Sequence, residues 1–142
     1  SLALMRWKDD VSLFTAATAA APSSARAQQN LGSALLKKER YVEAETALAR
    51  ALELDPGLLA ARVNLGLLEE IRGRDSDALH HYRAAVSTPS LVAEEKLRAR
   101  ACERLGSLLM RTAGKAEIER TLAAEQAAPG SGCTRALQRS LL

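Results

Sequence analysis

The chain has 142 residues, of which 47% are hydrophobic and 3% aromatic, and its formal net charge is +3. This length suits one domain, and the scarcity of aromatic residues favours packed helices over a β-sandwich. Charges of both signs are interspersed, which argues against a dedicated nucleic-acid arm. No stretch approaches the roughly 18 apolar residues that span a bilayer, and the charged residues at 8–10 interrupt any signal-peptide core.

Hydrophobic periodicity predicts eight helices. Most of them are separated by turn-forming residues: Pro22 with two serines, a tight break at Glu39–Arg40, Asp55–Pro56, Gly73 and Gly114. The predicted helices cover residues 3–20, 24–38, 41–54, 58–72, 75–87, 89–112, 115–127 and 133–142.

The pair of helices over 25–58 recurs along the chain with a period of about 34 residues. Leu31–Gly32 in the first helix corresponds to Leu65–Gly66, and Leu48 in the second helix corresponds to Tyr82. Because small and large residues return at the same places of each pair, the sequence predicts a helical repeat array.

Glycines occupy one position in the first helix of three successive pairs, namely Gly32, Gly66 and Gly106. Glycine inside a helix costs about 1 kcal/mol relative to alanine, so its recurrence needs a reason. We expect the facing helix of each pair to press against the backbone there, where a side chain would force the pair apart. In the third pair that helix is the one predicted over 115–127, with Leu122 at its large position.

The third pair is longer than the others. The step from Leu65–Gly66 to Leu105–Gly106 exceeds the step from Leu31–Gly32 to Leu65–Gly66, because six residues have been added to the period. The insertion lies in SLVAEEKLRAR, which contains neither Gly nor Pro. With Thr88 as N-cap and Pro89 at the first helical position, the sequence predicts one helix over 89–112, about two turns longer than its siblings.

This pattern resembles the tetratricopeptide repeat (TPR) family. The resemblance implies an all-α solenoid of antiparallel helix pairs in a right-handed superhelix. Gln28 and Arg62 depart from the family by standing where a large apolar residue is usual, and Glu69 stands where an aromatic one is favoured. The implied organisation is one TPR domain over 1–142, with a half repeat over 1–24, repeats over 25–58 and 59–92, an elongated repeat over 93–130 and a capping helix over 131–142.

In the TPR family, the first (A) helix of each pair lines a concave face that binds an extended peptide or a partner's helix. The resemblance therefore implies a non-catalytic protein-interaction module. The implied peptide-binding residues are Arg26, Gln29, Ser33, Asn64, Leu67, Arg100, Arg104, Ser107 and Arg111. Further positions implied to be exposed on the same faces are Asn30, Lys37, Ala60, Val63, Ile71 and Glu103.

Some TPR domains hold the C-terminal carboxylate of a peptide with Lys and Asn on the first A helix, Asn on the second and a basic pair on the third. This chain matches at Asn64 and at the pair Arg100 and Arg104, whose guanidinium groups present paired donors to a carboxylate. It departs at Gln29 and Ser33, where the family has Lys and Asn. Two kinds of protein ligand stay open: a generic peptide, and one that is acidic or ends in a free carboxylate.

The sequence predicts no enzyme, no metal site and no cofactor. His80 and His81 are adjacent, so on a helix they point about 100° apart and cannot share a metal. Asp75 and Asp77 are interpreted as residues that cap their helix and favour its positive end. No Cys–His or Ser–His–Asp set falls on one predicted face, and no Gly-rich phosphate loop follows a strand.

Cytoplasmic and extracytoplasmic compartments both remain open. Cys102 and Cys133 indicate neither a disulfide framework nor a metal motif. The opening RWKDDVSLFTAATAAAPSSARAQQNLG is similar to the junction after the last membrane span of O-mannosyltransferase-like membrane proteins with TPR tails. That resemblance implies an extracytoplasmic recognition tail that does not itself enter the membrane. Alternatively, Trp7 fills the aromatic position of a second helix, as Tyr41 does.

Nucleic acid and a second copy of the chain are rival partners. Basic residues concentrate around the third A helix, but glutamates are mixed among them and no exposed aromatics are expected for base stacking, so we expect no nucleic-acid binding. The chain begins in mid-helix, as an excised piece would. Apolar ends at Trp7–Phe14 and Leu137–Leu142 would then be exposed and could pair into a homodimer.

Overall fold

A computed structural model describes residues 9–89, 91–127 and 132–142, and every regular element in these ranges is helical. The α-helices are α1 (Asp10–Ala20), α2 (Ala25–Lys37), α3 (Tyr41–Leu54), α4 (Leu59–Ile71), α5 (Asp75–Ser87), α6 (Glu95–Thr112), α7 (Lys115–Ala127) and α8 (Thr134–Ser140). A short 3₁₀ turn, Val92–Glu94, precedes α6. The prediction of an all-α helical repeat is confirmed.

The chain divides into two compact units, and the boundary falls inside α4. Unit 1 ends at Asn64 and unit 2 begins at Leu65. In unit 1 a core cluster joins α1, α2 and α3; its members are Val11, Ala34, Leu35, Ala44 and Ala47, with Phe14, Leu31 and Leu36 packed against them. The large buried side chains of unit 2 include Leu68, Tyr82, Leu108, Leu109, Ile118 and Leu137.

Helix α1 begins later than predicted. The carboxylate of Asp9 accepts a hydrogen bond from the backbone N–H of Ser12 at 2.9 Å, so Asp9 is the N-cap and the helix starts at Asp10. The predicted start at residue 3, with its positions Leu4 and Trp7, lies outside the described residues.

Helix α6 also begins later than predicted, at Glu95 instead of residue 89. The hydroxyl of Thr88 donates to the carbonyl of Ala84 at 2.7 Å, so Thr88 closes α5 and does not cap α6. Arg98 strengthens that end of α5 by donating to the carbonyls of Val86, at 3.0 Å, and Thr88. The helix is nevertheless longer than its siblings, with 18 residues against 13 in α2, but the difference is smaller than the predicted two turns.

Gly32 and Gly66 each lie against the facing helix that the sequence predicts. We call such a position, where a side chain of another helix packs on a glycine backbone, a notch. In unit 1, a Cβ added to Gly32 would lie 2.5 Å from Cγ of Leu48 on α3. In unit 2, a Cβ added to Gly66 would lie 2.6 Å from Cε1 of Tyr82 on α5. Both distances are far below van der Waals contact, so in each pair the large side chain packs directly on the glycine backbone.

The third glycine, Gly106, packs against a different helix from the one that the sequence predicts. A Cβ added to Gly106 would collide with Oγ of Ser140 and would lie 3.7 Å from the carbonyl oxygen of Ala136, both on α8. The prediction that α7 fills this notch through Leu122 is therefore wrong. Leu122 is only half-buried, and α8 packs on α6 at this point.

A disulfide explains why α8 is held there. Cys102 on α6 and Cys133, next to the start of α8, are bonded, with their Cα atoms 5.1 Å apart. Both cysteines are buried. The interpretation that the two cysteines give no disulfide framework is therefore wrong, because a pairing with a sequence separation of 31 depends on how helices fold back and not on local spacing.

The breaks after α2 and α4 are the same turn built from different residues. Each closes with two backbone hydrogen bonds that wrap the helix end, from Arg40 N–H to Leu35 and from Glu39 N–H to Leu36 in unit 1. This turn needs a left-handed residue, which is Glu39 (φ 60°) in unit 1 and Gly73 (φ 73°), at the equivalent position of the next repeat, in unit 2.

We expect Glu39→Gly to raise the free energy of unfolding by about 1 kcal/mol, because glycine adopts a left-handed conformation without the penalty that other residues incur. Urea denaturation measures the change. The matched control is Gly73→Ala, where an added Cβ meets nothing within 4 Å, so only backbone strain acts and about 1 kcal/mol should be lost. A loss of stability in Glu39→Gly would contradict this account of the turn.

Candidate functional site

The predicted ligand-binding residues of unit 1 lie on α2 and α4. Arg26 is exposed, while Gln29, Ser33 and Asn64 are half-buried. Within the described ranges, none of these four side chains is engaged in a hydrogen bond or an ion pair. Val63, predicted to be exposed on the same helix as Asn64, is buried with 4% exposure, and that prediction is wrong.

In unit 2, α6 presents a continuous polar face. Lys96, Arg100, Arg104, Ser107 and Arg111 recur every three or four residues and are all exposed, so they share one side of the helix. We call this set the α6 face. Four of its five members are cationic. The other predicted residue of this unit, Leu67, is half-buried on α4.

The carboxylate of Glu70 on α4 reaches the C-terminal half of the α6 face, at Arg104 and Arg111. Oε1 of Glu70 accepts a hydrogen bond from the Tyr82 hydroxyl at 2.7 Å. Its Oε2 lies 3.8 Å from Nη1 of Arg104 and 3.7 Å from Nη2 of Arg111. Arg111 also donates to Oδ1 of Asp75 at 2.9 Å. Two predicted ligand-binding arginines therefore already have acidic partners within unit 2.

Burial distinguishes the members of this network. The side chain of Glu70 is 11% exposed, whereas those of Arg104 and Arg111 are 48% and 55% exposed. Burial, and then the hydrogen bond to Glu70, raise the pKa of the Tyr82 hydroxyl, so it remains a proton donor. The hydrogen bond to Asp75 likewise raises the pKa of Arg111.

The N-terminal half of the α6 face, at Lys96 and Arg100, has no acidic partner of the kind that Glu70 provides, within the described residues. Lys96 and Arg100 form no ion pair within the part of the chain that the structure describes. With Leu97 they line a surface depression of about 310 Å³. Positive charge that has no internal partner is thus concentrated on one helical turn of α6.

Sequence reasoning missed Glu70 and Lys96 and misread Asp75. The N-cap residue of α5 is Arg74, without a side-chain cap, so the interpretation of Asp75 as a cap is wrong; it lies in the first turn and binds Arg111. The available signal for Glu70 was Tyr82 itself, because a tyrosine in an otherwise apolar position needs a partner for its hydroxyl.

The other basic residues near α6 are occupied. Arg98 binds backbone carbonyls of α5, and Lys115 lies 3.8 Å from Glu119. The exposed Glu103 pairs with Arg139 of α8 at 3.0 Å. The absence of a nucleic-acid partner stays a prediction.

Unit 1 has a groove on a different side of α2 from Arg26, Gln29 and Ser33. It has a volume of about 810 Å³ and runs between α2 and α3. Its lining includes Leu31, Leu35, Val42 and Ala47, and Val42 is 73% exposed. The glutamates on its rim include Glu43 and Glu53, which pair with neighbouring arginines.

The remaining predictions concern other kinds of site. The rings of His80 and His81 have centroids 5.6 Å apart and planes inclined by 66°. No cluster of three His, Cys, Asp or Glu side chains suited to a metal occurs in the described ranges. No helix there is long and apolar enough to cross a bilayer. For the predicted homodimer surface, Leu137 is buried, not exposed, whereas Leu142 is exposed; Trp7 lies outside the described residues.

Residues 25–58, which contain α2 and α3, match the family described as Tetratricopeptide repeat. The chain therefore contains a tetratricopeptide repeat within an all-α helical-repeat fold. Repeats of this family suggest a protein–protein interaction module, and the family is generally non-catalytic. Comparison with curated proteins finds no match for the chain.

Proposed function

We propose that this helical-repeat chain is a non-catalytic interaction module for an extended segment of a partner protein, and that the α6 face of unit 2 binds acidic residues of that segment. In unit 1 the proposed contacts are Arg26, Gln29, Ser33 and Asn64. In unit 2 they are Leu67 and the α6 face. That Asn64 acts together with Arg100 and Arg104 on one terminal carboxylate stays a prediction.

The observation that supports an acidic partner segment is the pair of cationic side chains Lys96 and Arg100. These side chains are exposed and are four residues apart on a helix, about 6 Å along its axis. In an extended peptide, alternate side chains point the same way and are about 6.6 Å apart. A segment with acidic residues at alternate positions therefore matches the spacing and the charge of this pair.

The test uses a fluorescein-labelled peptide in which Glu and Ala alternate. In anisotropy titrations, the double variant Lys96→Ala with Arg100→Ala should bind about tenfold more weakly, since each exposed ion pair contributes up to about 1 kcal/mol. The control, Arg40→Ala with Arg50→Ala, removes the same formal charge from unit 1. Equal losses in both double variants would reduce the effect to net charge and refute the assignment.

The role of unit 1 is tested separately with Asn64→Ala. Asparagine can donate and accept with the backbone of a bound segment, so its loss should weaken binding of the same peptide about fivefold. Unchanged affinity in Asn64→Ala would remove Asn64 from the proposed contacts while leaving the α6 face intact.

A second candidate is the extracytoplasmic tail of a membrane glycosyltransferase-like protein. The Cys102–Cys133 disulfide supports it, because such bonds persist in oxidising compartments and are rare in the cytosol. Mass spectrometry of the alkylated natural protein tests this candidate. An intact disulfide in cells is expected, and two alkylated thiols would count against it.

A further inference from the structure

We propose that Glu70 acts as a built-in competitor that keeps acidic ligands off Arg104 and Arg111 and confines them to Lys96 and Arg100. This inference rests on the proposed function of the α6 face and defines its specificity. Glu70 would thus determine where along α6 a partner must be acidic and where it must be neutral.

The geometry supports competition. Oε2 of Glu70 lies within 3.8 Å of guanidinium nitrogens of both Arg104 and Arg111, which is the space that a ligand carboxylate would need. The carboxylate is fixed, since its other oxygen accepts the Tyr82 hydroxyl at 2.7 Å. Asp75 adds a second acid at 2.9 Å from Arg111. The formal charges of these two acids and two arginines cancel.

The consequence is a division of the α6 face. A ligand carboxylate must displace an intramolecular one to reach Arg104 or Arg111, and the intramolecular group has the advantage of a high effective concentration. Lys96 and Arg100 have no such competitor within the described residues. The acidic residues of the partner therefore belong at the Lys96–Arg100 end, and a neutral polar residue belongs beside Ser107.

Glu70→Gln tests this directly. The side-chain amide keeps the shape and an oxygen that can accept from Tyr82, but it loses the charge that holds the arginines. Affinity for the alternating Glu–Ala peptide should rise about fivefold as Arg104 becomes available, while Arg111 keeps its ion pair with Asp75. A second peptide of equal length carries two Glu residues at alternate positions and Ala elsewhere. Its affinity should change by less than about twofold, because those two Glu residues already bind at Lys96 and Arg100.

The control is Asp77→Asn, which changes the net charge equally from an exposed position on α5 that has no ion pair among the described residues. It should leave both affinities nearly unchanged. Circular dichroism melting of each variant establishes that the fold is retained. A gain in Asp77→Asn equal to that in Glu70→Gln, or a loss of affinity in Glu70→Gln, would overturn the inference.

The inference and the proposed function fail in different ways. If the unmodified chain binds the alternating peptide through Lys96 and Arg100 but Glu70→Gln has no effect, only the competitor role is refuted. If neither the unmodified chain nor Glu70→Gln binds either peptide, both proposals are refuted. Binding that appears only in Glu70→Gln would show that Lys96 and Arg100 do not hold acidic residues, and it would refute both proposals.

Discussion

Gly32→Ala is expected to lower the free energy of unfolding by about 1–3 kcal/mol, although alanine is the better helix former by about 1 kcal/mol. The reason is the facing helix. The new Cβ would lie 2.5 Å from Cγ and 2.7 Å from Cδ2 of Leu48, and 3.4 Å from the carbonyl oxygen of Ala44. Leu48 is fully buried, so moving it would disturb the side chains packed around it. Urea denaturation measures the loss.

The matched experiment repeats Gly32→Ala in a second background, where its effect on the free energy of unfolding should change sign. In a Leu48→Ala background the overlapping atoms are gone, so Gly32→Ala should stabilise the chain by up to about 1 kcal/mol through helix propensity alone. The double-mutant cycle then reports the coupling between the two positions. If Gly32→Ala had the same effect in both backgrounds, the notch would play no part in pairing α2 with α3.

Reduction of the Cys102–Cys133 disulfide is expected to cost unit 2 about 3–4 kcal/mol. The bond closes a loop with a sequence separation of 31, and opening it returns conformational entropy to the unfolded chain. It also anchors α8, which has only seven residues and is too short to be stable alone. Released from α6, α8 would leave the Gly106 notch empty.

The measurement is urea unfolding with and without dithiothreitol, followed by helical circular dichroism. The control is the double variant Cys102→Ala with Cys133→Ala, which should be less stable than the oxidised chain and indifferent to the reductant. Trypsin cleavage after Arg135 and Arg139, both exposed on α8, should also accelerate on reduction. Equal stability of the oxidised and reduced chains would show that the bond does not hold α8 in place.

Local signals predicted the helices well where the breaking residues were unambiguous. Helices α3, α5 and α7 begin and end at the predicted residues. The errors occur where a capping residue had two possible roles. Thr88 could have opened α6 but instead closes α5, and Asp9 was read as the interior of a helix although its carboxylate caps one.

The notch glycines show where sequence periodicity stops being informative. At Gly32 and Gly66 the partner lies on the next helix along the chain, inside the same repeat, and the period predicts it. At Gly106 the partner is Ser140, which lies on α8, beyond the next helix α7. Its placement depends on the disulfide and on a fold-back that no local pattern encodes.

The arrangement of the α6 face was predicted in part for the same reason. Helical spacing correctly placed Arg100, Arg104, Ser107 and Arg111 on one side of α6. It could not reveal that Glu70, which comes from α4, reaches two of these arginines, because ion pairs between elements depend on tertiary packing. Glu69, which stands where the family favours an aromatic residue, is buried with Arg72 and Arg74 beside its carboxylate at 3.4 and 3.5 Å.

The most direct measurement of the proposed function is a titration of the ¹⁵N-labelled chain with the alternating Glu–Ala peptide, followed by amide chemical shifts. The proposal predicts that the largest shift changes fall on α6 around Lys96 and Arg100. Changes centred on the unit 1 groove, at Leu31, Val42 and Ala47, or no changes at saturating peptide, would contradict it.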